Sequence, residues 1–302
     1  MIFNTPGKIT DRIWLVGKNE SCAYLVGGGN DYALLGGAMA YVVPDVLDQL
    51  GAFGIDERKI SRIVILHSHF DHCGMVPFLK RRWPWAMVTA SQKSRELLKK
   101  PKVVDSIERL NQVMITQNGL TAKGKGLDLR FSGIEVEAVV SDGEVLSCND
   151  LSLEILEVPG HSSCSIAVYI PEEKALFASD AGGIPFGEKV FTAANANFDL
   201  YQQSLEKMAA KDVDIHLAEH YGALSGEKGR QFLQRAITAA VETRRALETA
   251  YAETGDVTKT TGIITDRIMA EAPEDFLPRE VVAIVAGQMV HYIAKTMTRN
   301  QT

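Results

Sequence analysis

The chain has 302 residues, 46% of them apolar and 23% charged, so it can bury the core of one large folded unit or two small ones. Thirty-two basic residues against thirty-eight acidic ones leave a formal charge of −6, which argues against a nucleic-acid binder with a basic face. Met1–Arg12 lacks the apolar centre of a secretory signal, and the longest uncharged apolar-leaning stretch, Tyr32–Pro44, is too short to span a membrane. Cys22, Cys73, Cys148 and Cys164 are scattered with no CxxC, which points to a reduced, cytoplasmic protein.

Residues 12 to 36 read as short strands, including Ile13–Val16 and Ala23–Val26, the second ended by Gly27-Gly28-Gly29. A helix is predicted over Val43–Leu50, a buried strand over Arg62–Leu66, a helix over Met75–Arg82 and a strand over Ala86–Ala90. Gln92 to Gln117 turns helical, with Ile107, Leu110 and Val113 on one stripe. Strands return at Ile134–Val140, Leu151–Val158, Ile166–Ile170 and Ala175–Ala178, the last two joined by the turn Pro171-Glu172-Glu173-Lys174. Phe198–Ala210 reads as a helix and Ile215–Ala218 as a strand. Beyond Gly222 the composition becomes helical: Ser225–Thr254 is rich in Ala, Glu, Arg and Gln, and further helices are predicted near Thr261–Ala272 and Pro278–Thr298. Residues 1–222 therefore form a mixed α/β unit and residues 223–302 an all-helical tail that caps it.

Five of the seven histidines fall in three short segments, each after an apolar strand: His67-Ser68-His69-Phe70-Asp71-His72, Pro159-Gly160-His161 and Glu219-His220-Tyr221-Gly222. Asp180 follows Ala175–Ala178 in the same way. Neighbouring strand ends bring such residues together, where α/β proteins place their sites. Imidazole is a borderline ligand for Zn, Fe or Mn, and carboxylate compensates charge. In an extended turn His67 and His69 point one way, while Asp71 and His72 lie on the other side. One loop with two sets of donors suggests two divalent ions, roughly 3.5–4 Å apart, sharing a bridging hydroxide. Three imidazoles and a carboxylate in six residues would be costly to bury without a cation. His216 and His291 read as ordinary core or surface residues. Cys164 lies three residues after His161, but that histidine has a better use than a Cys–His pair.

The set HxHxDH, Gly160-His161, Ser179-Asp180 and Glu219-His220 resembles the metallo-β-lactamase superfamily over about residues 8 to 222. The resemblance implies an αββα sandwich with a metal site at one edge of its two sheets. Position by position it implies one ion held by His67, His69 and His161, a second held by Asp71, His72 and His220, and Asp180 bridging them. Asp71 and His72 would be the catalytic residues. Glu219-His220-Tyr221 departs from the Gly-His-Gly of many members; it keeps His220 but changes the wall beside it, where Tyr221 is a candidate substrate contact. Thr5-Pro6-Gly7-Lys8, Glu108-Arg109-Leu110-Asn111 and Asp275-Phe276-Leu277-Pro278 resemble the quinolone-signal response, thioesterase-type branch of that superfamily, whose C-terminal helices cover the metal site.

The expected chemistry is hydrolysis of a small-molecule ester or thioester, such as an acyl-CoA, by a metal-bound hydroxide. No GxSxG serine elbow is present to compete with it. Other readings are a lactonase or a glyoxalase II-like glutathione thioester hydrolase, a mononuclear-iron sulfur dioxygenase, and a ligand-binding sensor that keeps the metal site without turnover. Lys228, Arg230 and Arg235 at the start of the tail are either a solvated helix face or a contact for a substrate phosphate or carboxylate. The last helix carries Val281, Val282, Ile284, Val285, Met289, Val290 and Ile293, more apolar surface than one buried stripe needs, which suggests a homodimer through the C-terminal helices.

Overall fold

The computed structural model describes residues 1–120, 126–272 and 278–299. Strand β1 (Ile2–Phe3) is followed by β2 (Gly7–Lys8), β3 (Ile13–Lys18), β4 (Ser21–Gly28) and β5 (Asp31–Leu35). Helix α1 (Val43–Ala52), β6 (Ile60–Val64), α2 (Val76–Arg82), β7 (Met87–Ser91), α3 (Gln92–Leu98), α4 (Pro101–Gln117) and β8 (Ala138–Val140) complete the first half. Then come β9 (Val145–Cys148), β10 (Leu151–Glu157), β11 (Ile166–Ile170), β12 (Ala175–Phe177) and a hairpin, β13 (Ile184–Phe186) with β14 (Lys189–Phe191). Helix α5 (Phe198–Ala209), β15 (Ile215–Leu217), β16 (Ala223–Ser225) and helices α6 (Glu227–Thr254), α7 (Val257–Glu271) and α8 (Arg279–Arg299) finish the chain.

Two seven-stranded sheets result. One has the order β2-β3-β4-β5-β6-β7-β8, the other β1-β16-β15-β12-β11-β10-β9. In the first, β2 to β5 are antiparallel and β5 to β8 parallel; in the second only β12 and β15 run parallel. The period of two along each strand sorts side chains between layers. Cys22, Tyr24 and Val26 of β4 face the second sheet and pack with Leu153, Ile155, Val168 and Phe177. Ala23 and Leu25 face outward, onto Val46, Leu79, Trp83, Ile107 and Ile115 of the first helical layer. On the far side, Leu156, Ala167, Tyr169 and Leu176 pack against Phe198, Leu205, Leu233, Ala240, Ile264, Met289 and Ile293. The layers are therefore α, β, β, α. Strands buried on both faces account for the unbroken apolar runs in the sequence. Helices α6 to α8 share the third core with α5 and the second sheet.

Several expectations need correction. The stretch 92–117 is two helices, parted at Lys99-Lys100-Pro101, because proline cannot supply the amide a continuous helix needs there. The buried stripe of α4 is Ile107, Asn111 and Ile115, while Leu110 and Val113 are exposed. Asn111 is buried because its Oδ1 accepts from the Ala40 amide and its Nδ2 donates to the Ile107 carbonyl. Strand β8 covers only the end of the predicted Ile134–Val140 run. Of the third short resemblance in the sequence, Asp275, Phe276 and Leu277 lie outside the described residues. Among the described residues no helix is long and apolar enough to cross a membrane.

Candidate metal centre

Strand β6 ends at Val64, and the chain leaves it as a loop that carries His67 and His69 and closes in a single tight turn over Phe70–His72. The turn is pinned from behind. The Gly37 amide donates to the His72 carbonyl at 2.9 Å, and the Cys73 thiol donates to the His69 carbonyl. His161 follows Gly160, whose φ of +134° lets the backbone pass against α5: a Cβ there would lie 2.2 Å from the Tyr201 nitrogen. Asp180 sits in the short turn after β12, and His220 in the turn between β15 and β16. All seven residues singled out from the sequence meet at one edge of the sandwich.

They meet as two sets of atoms. His67 Nε2 and His69 Nδ1 are 3.2 Å apart, His69 Nδ1 and His161 Nε2 3.0 Å, and His161 Nε2 and His67 Nε2 3.3 Å. His72 Nε2 lies 3.3 Å from Asp71 Oδ2 and 3.3 Å from His220 Nε2, and the last two are 3.5 Å apart. Asp180 Oδ2 stands between the sets, 3.2 Å from His72 Nε2 and 3.5 Å from His161 Nε2. Ligands about 2.05 Å from a tetrahedral cation are separated by roughly 3.3–3.4 Å, so both triangles have the size such an ion requires.

The protonation states suit the same purpose. Burial, with neighbouring imidazoles adding to it, holds His67 well below the usual histidine range and pushes His69 down to about 3. Burial also lowers His161. These three present lone pairs to one another. At the other set, burial opposes ionisation of Asp71 and Asp180, yet the imidazoles beside them outweigh it and keep both carboxylates low. Burial likewise works against charge on His72 and His220, but the carboxylates raise both.

Behind the centre four of the five rings meet an oxygen at their second nitrogen. His161 Nδ1 lies 2.8 Å from the Ala193 carbonyl, His220 Nδ1 2.8 Å from the Glu20 carbonyl, His67 Nδ1 3.3 Å from Ser179 Oγ, and His72 Nδ1 2.7 Å from Glu219 Oε2. A ring nitrogen that faces an oxygen acceptor carries the proton, which leaves Nε2 free to bind. Glu219 is the residue the sequence reading undervalued, as only a departure in the wall. It is buried, and its signal was a carboxylate in an apolar strand end beside His220.

The remaining candidates fall elsewhere. Tyr221 has φ of +63° and packs against the cluster of Ile184, Phe186, Phe191, Ala193 and Val282. His291 is exposed on α8. His216 is fully buried, tilted over the Phe232 ring at 4.0 Å, and neither of its nitrogens has a hydrogen-bond partner among the described residues. Lys228 pairs with Glu188, Arg230 pairs with Asp214, and Arg235 donates to the Glu188 carbonyl. Cys164 sits between Ser68 and Ser162 at 3.3 Å from each hydroxyl.

Residues 16–220 match the family model described as the metallo-beta-lactamase superfamily. An atrochrysone carboxyl ACP thioesterase, dmxR1, of Cryptosporiopsis sp. (strain 8999) is 22% identical over 256 residues, 82% of this chain and 63% of that protein. A hydroxyacylglutathione hydrolase of Parasynechococcus marenigrum (strain WH8102) is 27% identical over 54% of this chain and 49% of its own length. The chain thus spans from about half to under two thirds of these relatives. A metallo-beta-lactamase family protein from Thermus thermophilus shares the fold, with a TM-score of 0.67 at 18% identity over 96% of this chain and 95% of that one.

Proposed function

This chain belongs to the metallo-beta-lactamase superfamily, and from that premise we propose that it is a metal-dependent hydrolase of small-molecule thioesters. The observation that carries the reading is the pair of donor triangles with Asp180 Oδ2 between them. His67, His69 and His161 would hold one divalent ion, and Asp71, His72 and His220 a second, as zinc, iron or manganese. Such ions bring the pKa of water toward about 7 and polarise a carbonyl. The chain's own part is to hold four imidazoles, those of His67, His72, His161 and His220, in the metal-binding tautomer and to keep Asp71, proposed as catalytic with His72, ionised beside the centre. Thioesters lead over other esters because an ACP thioesterase and a hydroxyacylglutathione hydrolase stand among the relatives. The second of these makes a glutathione thioester the runner-up substrate; an acyl-CoA is the first.

We assign the helices of residues 223–302, α6 to α8, the role of a cap; Ala223–Ser225, expected to begin an all-helical tail, is instead strand β16 of the second sheet. Val282 of α8 clusters with Phe186 and Phe191, and Val285, Ile268 of α7 and Tyr221 all pack against that cluster, so the tail and the residue next to His220 share one apolar cluster. Tyr221 is proposed as a substrate contact at that seam. Exposed Val281 and Ile284 on α8 support pairing of two copies through the tail. The four cysteines are buried and free, which fits a reducing, cytoplasmic setting. The decisive experiment is thiol release from a panel of acyl-CoA and acylglutathione substrates by protein loaded with each metal. Turnover that chelation abolishes supports the reading. No turnover, with a small molecule bound tightly, would replace it with a sensor.

A further inference from the structure

The two halves of the centre share one buried carboxylate. Glu219 Oε2 receives the Ser179 hydroxyl, and it also lies 2.7 Å from His72 Nδ1, in an ion-pair contact that is not aligned as a hydrogen bond. With its hydrogen committed to Glu219, the Ser179 oxygen is left to accept from His67 Nδ1 at 3.3 Å. Two hydrogen bonds and one close ion-pair contact therefore link His67, in the first donor triangle, through Ser179 and Glu219 to His72, in the second.

Three features set this arrangement apart from ordinary packing. Ser179 holds φ of +50°, a left-handed backbone that a serine adopts only under strain, and the turn that imposes it aims Oγ between His67 and Glu219. Glu219 is 1% exposed, and its other oxygen, Oε1, has no hydrogen-bond partner among the described residues. Space for that oxygen exists only because residue 36 is glycine: a Cβ there would stand 2.6 Å from Oε1. A buried carboxylate with one satisfied oxygen is an expensive group to keep for packing alone.

We propose that Glu219 is a positioning residue common to both metal subsites, acting directly on His72 and through Ser179 on His67, so that the two subsites bind metal as coupled partners. The inference rests on the ligand assignment above. Its chemistry is that of a carboxylate behind a metal-ligating imidazole, which fixes the ring and raises its basicity, here serving two rings at once. The asymmetry of the path makes a specific claim: Ser179 serves only the first subsite, Glu219 both.

The test is cobalt(II) titration of stripped protein against a competing chelator, followed by the visible absorption of the bound ion. Two backgrounds isolate the subsites, H220A leaving the first and H69A the second. E219Q is expected to weaken cobalt binding about 10- to 100-fold in both backgrounds, and S179A about 10-fold in H220A only. Should E219Q aggregate, the S179A pair alone decides. Weakening by E219Q in the H69A background alone would overturn the shared role, as would S179A acting equally in both. Loss of a third equivalent of metal in E219Q would also overturn it, because Glu219 would then be a ligand. If the parent protein binds no metal the ligand assignment itself falls; if it binds two ions and neither variant changes affinity, only this inference does.

Discussion

His220, at the end of a strand in one sheet, turns its Nδ1 to the carbonyl of Glu20, between two strands of the other, at 2.8 Å. The ring is oriented by the opposite half of the sandwich, and its Nε2 is left for the second donor triangle. His220→Ala is therefore expected to keep one equivalent of metal and His69→Ala to keep the other, each with turnover down at least 100-fold. Elemental analysis of protein from metal-balanced medium checks this. Full metal content with full turnover in either variant would end the ligand assignment.

Because the donors come from both sheets, bound cations cross-link them. Excess zinc or manganese at 100 times its dissociation constant should stabilise the fold by about 2.7 kcal/mol per site. Thermal unfolding with and without chelator should differ by several degrees, and an unchanged midpoint would mean that no ion bridges the sheets.

Gly160 offers a backbone test. Alanine there meets the first turn of α5 and must also adopt φ of +134°. The strain alone is worth about 1–3 kcal/mol, and the displaced neighbour is His161. Urea denaturation of stripped Gly160→Ala should show the stability loss, and titration a weakened first subsite. Wild-type behaviour in both would contradict the packing described.

His216 predicts how the protein responds to acid. Burial pushes its imidazole down to about 3, whereas the unfolded chain protonates it near 6.5. Between those values the unfolded state binds the extra proton, so stability rises with pH and is lost as pH falls from 6.5 toward 3, at up to about 1.4 kcal/mol per unit. His216→Phe, stacked on Phe232 without an orphaned nitrogen, should flatten that slope. Equal slopes for both proteins, measured by denaturant titration across pH 4 to 7, would place the acid response elsewhere.

Ile284 is 62% exposed on α8. Sedimentation of the parent at tens of micromolar is expected to show a dimer, and Ile284→Glu a monomer with unchanged metal content. A monomeric parent would remove the tail interface.

The sandwich was legible because strands buried on both faces leave apolar runs, as at Ile166–Ile170, and because metal-type donors repeat after those runs. Shorter elements left no such trace. The hairpin Ile184–Phe191 is two three-residue strands around Gly187, and β1 and β2 have two residues each, too few for alternation to register. The α4 stripe misled because helical spacing allows steps of three or four, and the true stripe runs through polar Asn111. Glu219 stayed hidden for a different reason: its meaning depends on His72, distant in sequence, and on room left by Gly36.

The order in which the donors occur along the chain gives the centre a timetable. His67 and His161 are 94 residues apart, and His72 and His220 are 148 apart. At roughly 5–20 residues per second of synthesis, the first triangle becomes complete about 5–19 s after His67 is made, and the second about 7–30 s after His72. On the proposed ligand assignment, the three histidines of the first triangle would all be synthesised before His220 completes the second.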